Sequence, residues 1–183
     1  MLAATSNGDS SLLDLRPGSA APRELFFVRR VLDGRRSAIL VWNGESRFHT
    51  TSVDNLAEMI RLAAMRPGTR VLNCGDPEPP TTREIGEAIT SAMEAELELV
   101  GIPESGYERP ELGNPWGVPR PFLVDMGAAE RHLDYRPRAT YPHAVRETCA
   151  WLVQELKQRD FSDTYLANFF DYSAEDNEML RRR

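Results

Sequence analysis

The fold is decided by residues 50–64, which read TTSVDNLAEMIRLAA. Apolar side chains recur in this stretch at helical spacing: Leu56, Met59, Ile60 and Ala63. This spacing predicts an amphipathic helix with one inward face. Aspartate is a favoured N-cap residue, so we interpret Asp54 as the cap of the helix. We expect Asn55 to bond to a neighbouring loop, which gives both residues structural roles.

Short apolar strands and helices alternate on both sides of this stretch. We predict strands at 11–16, 37–42, 70–74, 97–100 and 122–125. We predict further helices at 22–33, after 81, at 125–132 and at 141–158. Thr81 and Glu84 have the spacing of a capping box, and Asn43-Gly44 is a hairpin-type turn signal. The alternation predicts an α/β fold, with a partial Rossmann-type parallel sheet and a smaller mixed α/β substrate-binding lobe.

Residues 101–121 are rich in proline and glycine but also contain Tyr107, Leu112, Trp116 and Val118. Disordered linkers seldom have this aromatic content, so we expect an ordered loop packed over a pocket. The alternative is a surface loop held by its own aromatic plug. The aromatic residues after position 159 indicate a C-terminal extension, residues 159–183, that could dock on the rest of the chain.

Bulk composition excludes several classes of protein. The chain has 183 residues, 41% hydrophobic and 27% charged, which is typical of one globular domain. A net charge of −6 argues against nucleic-acid binding. We expect no membrane association, because no apolar run is long enough to span a bilayer.

The two cysteines, Cys74 and Cys149, show no metal-ligand spacing, so we expect free thiols, no metal site and a reducing compartment. The N-terminus lacks the pattern of a signal peptide, and we therefore expect a cytoplasmic protein.

Five segments resemble, in order, the C-terminal half of the extended short-chain dehydrogenase/reductase family, the NAD-dependent epimerases, dehydratases and reductases. They lie at 15–18 (LRPG), 26–35 (FFVRRVLDGR), 52–57 (SVDNLA), 71–76 (VLNCGD) and 124–137 (VDMGAAERHLDYRP). The resemblance covers residues 11–153. It implies that residues 1–183 form a single domain, a truncated C-terminal portion of such a fold.

The resemblance also implies site residues. Arg16, Pro17 and Gly18 correspond to a loop that faces the cofactor in the family. Four further candidates come from the residues themselves rather than from the resemblance, since they flank the predicted helix and strands and arginine favours phosphate. These candidate contacts to a sugar nucleotide or another small-molecule substrate are Arg47, His49, Asn73 and Arg120. The alternatives without a ligand are that Arg47 is a solvent-exposed charge and that His49 is hydrogen-bonded within the protein.

Two parts of the family pattern are missing. The sequence has no Gly-x-x-Gly-x-x-Gly turn, which would bring a helix N-terminus to the cofactor pyrophosphate. It also has no Tyr-x-x-x-Lys pair, since Lys157 is its sole lysine and Val153 lies four residues before it. We therefore expect no catalytic residues, and no cofactor for this chain alone, although the family uses NAD(P).

Three functions remain open at this point. The first is a family member that keeps mainly the substrate-binding lobe and is inactive in hydride transfer on its own. Alternatively, it is half of a split oxidoreductase that a Rossmann-domain partner chain completes. The third alternative is a non-catalytic binding or interaction protein. The sequence does not decide whether the chain is an enzyme.

Overall fold

The computed structural model describes residues 22–158 and 165–182. The predicted strand at 11–16 and the candidate cofactor contacts Arg16, Pro17 and Gly18 lie outside these residues. The described chain begins with helix α1, Leu25–Leu32, whose side chains Leu25, Phe26, Phe27 and Val28 are buried. Gly34 follows the helix with a φ of +70°, a left-handed conformation that favours glycine.

Two parallel strands form the sheet of the described chain. Strand β1, Ser37–Leu40, pairs with strand β2, Glu98–Gly101, and the register places Ser37 opposite Glu98. The connection between them contains helix α2, Val53–Met65, and helix α3, Thr82–Ala92. Parallel neighbours need such a crossover, and the α/β architecture agrees with the sequence prediction.

Three further helices complete the described elements. They are α4, Gly127–Leu133, α5, Tyr141–Glu155, and α6, Ser173–Arg181. A 3-10 segment, Tyr165–Phe170, precedes α6. Helices α1, α3 and α5 pack together on the first hydrophobic cluster, which includes Phe27, Ile89 and Leu152. Gly86 of α3 allows this approach, because a Cβ there would lie 2.9 Å from both Phe27 and Leu99.

The prediction that residues 101–121 form a packed loop with buried aromatic residues is correct in part. Trp116 is buried and its ring stacks on Phe27 with centroids 5.6 Å apart, and Leu112 is also buried. Tyr107 instead projects into solvent. The packed side chains hold the loop against the rest of the chain, as internal packing of long ordered loops requires.

Three predictions of secondary structure are wrong. Residues 70–74 and 122–125 are not strands, and the second segment makes only a single bridge, between Phe48 and Phe122. The Asn43-Gly44 turn does not form a hairpin, because β1 pairs in parallel with β2. Trp42 and Asn43 instead adopt left-handed conformations in a 3-10 turn that ends β1.

The cap of α2 also differs from the prediction. Ser52 is the N-cap, and its hydroxyl accepts a hydrogen bond from the backbone N–H of Asn55 at 3.2 Å. Asp54 is exposed in the first turn, where its charge interacts favourably with the helix dipole. The capping box predicted for α3 is present, with Thr81 and Glu84 each bonding the other's backbone N–H.

The C-terminal residues 165–182 dock on α1 through a buried ion pair. The Arg30 guanidinium donates to Glu175 Oε1 at 2.6 Å, and the two side chains are 2% and 6% exposed. Arg30 also donates to the carbonyl oxygens of Phe26 and Phe169 and lies 3.6 Å above the centre of the Phe26 ring. Ala174 and Met179 cover a second cluster that contains Ile39 and Ile102 of the sheet region.

Removal of Glu175 tests this docking. In Glu175→Ala the Arg30 guanidinium stays buried without its carboxylate, and the free energy of unfolding is expected to fall by about 3–5 kcal/mol. Asp176→Ala is the matched control. That side chain is 56% exposed in its pair with Arg35, so its loss is expected to cost less than about 1 kcal/mol. Urea unfolding measures both changes, and equal losses would contradict a special role for the buried pair.

Candidate functional site

A buried carboxylate lies at the centre of the polar region that contains the candidate residues. Asp76 is 0% exposed. Its side-chain oxygens accept from the Thr50 hydroxyl at 2.6 Å, the backbone N–H of Ser52 at 3.0 Å and the Asn55 amide at 2.7 Å. These hydrogen-bond donors compensate for the hydration that the carboxylate loses on burial. We call Asp76, Thr50, Ser52 and Asn55 the polar hub.

Asn55 links the hub to the loop before α5. Its side-chain oxygen accepts from the backbone N–H of Arg138 at 2.6 Å and of Ala139 at 3.0 Å. Its amide nitrogen also donates to the carbonyl of Ala139 at 2.9 Å. Every polar atom of this fully buried side chain is therefore bonded to another part of the chain, as burial requires. Asn55 holds the first turn of α2 against residues 138–139.

His49 links the hub to residues 122–124. Its Nδ1 accepts from the backbone N–H of Val124 at 3.1 Å, and its Nε2 lies 2.9 Å from the carbonyl of Asp76. This pair of partners assigns the neutral tautomer with the proton on Nε2. Gly75 packs against the ring, because a Cβ at that position would lie 2.3 Å from Nε2. Both ring nitrogens are used inside the protein.

Arg47 lies next to His49 but faces solvent. Its guanidinium donates to the carbonyl of Pro79 at 2.8 Å. It borders a cleft of about 520 Å³ between residues 77–80 and the start of α5. Glu84 and Tyr141 also line this cleft. Arg47 therefore has an exposed, partly fixed guanidinium beside a concave surface that the Glu78 and Glu84 side chains also line.

The remaining candidates lie at or beyond the edge of this region. Asn73 is exposed, and its amide donates to the carbonyl of Asp125 at 2.9 Å. Arg120 is exposed in the loop before Phe122. The structure thus joins Arg47, His49 and Asn73 through the adjacent segments 47–52, 73–76 and 122–125. It gives Arg120 no position inside the hub.

Sequence reasoning missed Asp76 and Tyr135. Asp76 lies between Gly75 and Pro77, where the sequence shows only the end of the segment 71–76. Tyr135 donates to the carbonyl of Asn55 at 3.2 Å and contacts the Cys74 sulfur at 3.6 Å. Burial raises the pKa of the Tyr135 hydroxyl and that of the Cys74 thiol. Periodicity alone carries no signal for such contacts between distant residues.

The hub positions backbone and side chains rather than offering a reactive group. Asp76, Asn55 and His49 are engaged with other protein atoms, so their free capacity for ligands is small. The described residues hold no group of three or more His, Cys, Asp or Glu side chains placed to bind a metal ion. Within the same ranges no helix has the length and apolar character needed to cross a bilayer.

No family model matches the sequence. No curated protein matches it either. Solved structures do match, and they place the fold with that of NAD-dependent epimerases and dehydratases. This likeness confirms the α/β architecture and the partial Rossmann-like fold expected from the sequence.

Particular structures give the extent of the match. UDP-glucose 4-epimerase of Thermotoga maritima, solved with UDP-glucose, is 18% identical with a TM-score of 0.57, and the match covers 78% of this chain and 42% of that one. UDP-glucose 4-epimerase of Thermus thermophilus, solved with NAD, is 22% identical with a TM-score of 0.52, covering 75% and 42%. dTDP-glucose 4,6-dehydratase of Bacillus anthracis, solved with NAD, is 17% identical with a TM-score of 0.54, covering 75% and 40%. The match thus spans about two fifths of each of these proteins.

Removal of the central carboxylate tests the hub. Asp76→Ala leaves the donors from Thr50, Ser52 and Asn55 buried without their acceptor, and the free energy of unfolding is expected to fall by at least about 3 kcal/mol. Asp54→Ala removes an exposed aspartate of the same helix start and is expected to cost less than about 1 kcal/mol. Asp76→Asn keeps the shape of the side chain, and its loss in free energy of unfolding is expected to lie between those of the other two variants. Urea unfolding gives the three values, and a neutral Asp76→Ala would contradict the hub.

Glu58 gives a pH test of its ion pairs with Arg61 of the same helix and with Arg138. Hydrogen bonds from Arg61, with a further contribution from Arg138, lower the pKa of the Glu58 carboxyl to about 2. Ionised Glu58 therefore stabilises the fold above its ordinary pKa of 4.5, and this contribution is lost as the pH falls toward 2. Glu58→Gln is expected to make stability less dependent on pH in this window. An NMR titration of Glu58 with an ordinary midpoint would contradict the assignment, and Arg61→Ala is expected to raise the midpoint.

Proposed function

We propose that this chain is a substrate-binding lobe of the epimerase and dehydratase type that binds a sugar nucleotide or a related small molecule. The observation that carries the proposal is the shared fold with an epimerase solved with UDP-glucose. The exposed Arg47 guanidinium beside a cleft adds a group of the right charge for a diphosphate. Asn73 and Arg120, both exposed, are further candidate contacts.

The lobe does not transfer hydride by itself in this proposal. The sequence has no Tyr-x-x-x-Lys pair, and its sole lysine is Lys157. Two of the tyrosines, Tyr135 and Tyr141, are buried, and burial raises the pKa of both hydroxyls. A phenol of this kind is a poor acid or base near neutral pH. The sequence also has no Gly-x-x-Gly-x-x-Gly turn, so we expect this chain alone to hold no NAD(P), with which several of the matched structures were solved.

Calorimetry with UDP-glucose tests the proposal. The purified chain is expected to bind UDP-glucose, and Arg47→Ala is expected to weaken binding about tenfold through loss of a charge-assisted hydrogen bond. Arg66→Ala, another exposed arginine, is the matched control and is expected to bind as the unaltered chain does. Titrations with NAD(H) and NADP(H) run in parallel. Lack of UDP-glucose binding, or binding of either cofactor by this chain alone, would overturn the proposal.

A second candidate function is half of a split oxidoreductase. The coverage of the matched structures favours this candidate, because the match spans only 42% of each of the two UDP-glucose 4-epimerases. In this candidate a Rossmann-type unit supplies the cofactor site and the acid–base pair, while the present chain supplies the substrate lobe. The third alternative, an interaction protein that uses the 101–121 loop and the aromatic C-terminal residues, is less favoured. Trp116, Leu112 and Phe169 pack against the rest of the chain rather than forming a free surface.

A further inference from the structure

Helix α6 packs one face on the rest of the chain and turns the other to solvent. The buried and half-buried residues of its inner face are Ala174, Glu175, Glu178 and Met179. The exposed residues of its outer face are Ser173, Asp176, Asn177, Leu180 and Arg181. Both sets have the spacing of one side of a helix. The outer face is therefore a continuous surface, with Leu180, which is 65% exposed, as its one large apolar side chain.

A groove runs between α6 and residues 33–37, which connect α1 to β1. It has a volume of about 620 Å³. Met179 and Leu180 line it from α6, and Glu98 lines it from the start of β2. At Gly34 an added Cβ would meet no other atom within 4 Å, so the wall there is open. The exposed leucine of the outer face thus stands at the rim of a concave surface.

Charges of both signs at this surface lack a close partner. Arg36 and Glu98 line the groove, and neither makes an ion pair in the part of the chain that the structure describes. The Arg181 side chain is 70% exposed and approaches Glu178 only at 3.9 Å, while two other arginines also bind that carboxylate. The surface therefore fits a polypeptide that itself carries exposed charges of both signs around an apolar side chain.

The charges along α6 itself have this pattern. Glu175 and Asp176 lie in its first turn and Arg181 in its last turn. In an antiparallel pair of such helices, the acidic start of each lies beside the basic end of the other, and the helix dipoles oppose one another. A two-fold axis produces this arrangement, because each copy then offers the same surface to the other.

We propose that the outer face of α6 and the groove beside it form a two-fold interface with a second copy of this chain. The two α6 helices run antiparallel, and Asp176 of each copy lies opposite Arg181 of the other. Leu180 of each copy enters the groove of the other close to the axis. The described chain begins at residue 22, before α1, whereas the groove lies after α1, so the N-terminal residues join the chain away from it.

The small size of the interface sets the expected strength. Helix α6 has nine residues and is therefore about 14 Å long. Its outer face buries much less surface than a permanent dimer does, so the dissociation constant is expected to be on the order of 100 µM, as for a weak and transient contact. The chain is expected to be mainly monomeric when dilute and dimeric when concentrated.

Sedimentation equilibrium of the full chain tests the interface. Leu180→Asp is expected to abolish the dimer, because it places two carboxylates at the axis. Arg181→Glu is expected to weaken it at least about tenfold, since each copy then sets a carboxylate against Asp176 of the other. Both side chains are exposed, so circular dichroism is expected to show an unaltered fold. Met65→Asp changes a side chain that is 69% exposed on α2 and is the matched control, with dimerisation unchanged.

Three results would overturn the proposal. A chain that stays monomeric at millimolar concentration has no such interface. A dimer that Leu180→Asp and Arg181→Glu leave intact uses another surface. Assemblies larger than a dimer contradict a closed two-fold contact. Arg47 borders a different cleft, so these results leave the proposed binding of UDP-glucose untouched, and its failure leaves the dimer untouched.

Disulfide trapping tests the orientation of the two helices. With Asp176 opposite Arg181 the axis passes between residues 178 and 179, so the two copies of residue 180 lie offset by about 5 Å along the helices and those of residue 173 by about 16 Å. Leu180→Cys is therefore expected to give a covalent dimer on oxidation, and Ser173→Cys is not. The unaltered chain, whose Cys74 is half-buried and Cys149 buried, gives the background. Linkage at both positions would indicate parallel helices, and linkage at neither would indicate another interface, and each result would overturn the proposal.

Discussion

The rest of the polar region depends on the need to satisfy one buried carboxylate. Asp76 is fully buried, and dipolar groups donate hydrogen bonds to its side-chain oxygens. The donors must therefore be placed accurately, because each unsatisfied group would cost a large fraction of the total stability. Asn55 extends the constraint to residues 138–139, and His49 extends it to Val124. The hydrogen bonds of Asp76, Asn55 and His49 thus connect residues 49–55 with Asp76, with residues 138–139 and with Val124.

The sequence predicted local features better than contacts between distant residues, of which it indicated only the bond of Asn55 to a neighbouring loop. The capping box of α3 depends on residues three positions apart and was predicted correctly. The contacts of Asp76 join residues 21 to 26 positions apart, beyond any periodic pattern. Ser52 and Asp54 are both good N-cap residues, and the bond from the Ser52 N–H to Asp76 favours Ser52. Residues 70–74 have the alternation of a strand, but a strand also needs a neighbour, which sequence alternation does not supply.

The fold and the chemistry of this chain are separate questions. An identity of 18% with a UDP-glucose 4-epimerase is enough for a shared path of the backbone, but activity depends on individual side chains. The polar side chains best placed by this fold, those of Asp76, Asn55 and His49, face other protein atoms. The groups left for a ligand are those on the rim, chiefly Arg47.

The ion pair between Arg30 and Glu175 has a kinetic consequence. Its two residues are 145 positions apart, and the parallel pair of β1 and β2 also joins distant parts of the chain. Contacts of long sequence separation make loop closure costly before any packing is gained, and they slow folding. The chain is therefore expected to reach its native state slowly, with the joining of α1 to α6 among the last events. Until then the apolar cluster beneath α6 stays open to solvent, and the time spent in that state, rather than final stability, governs the risk of aggregation.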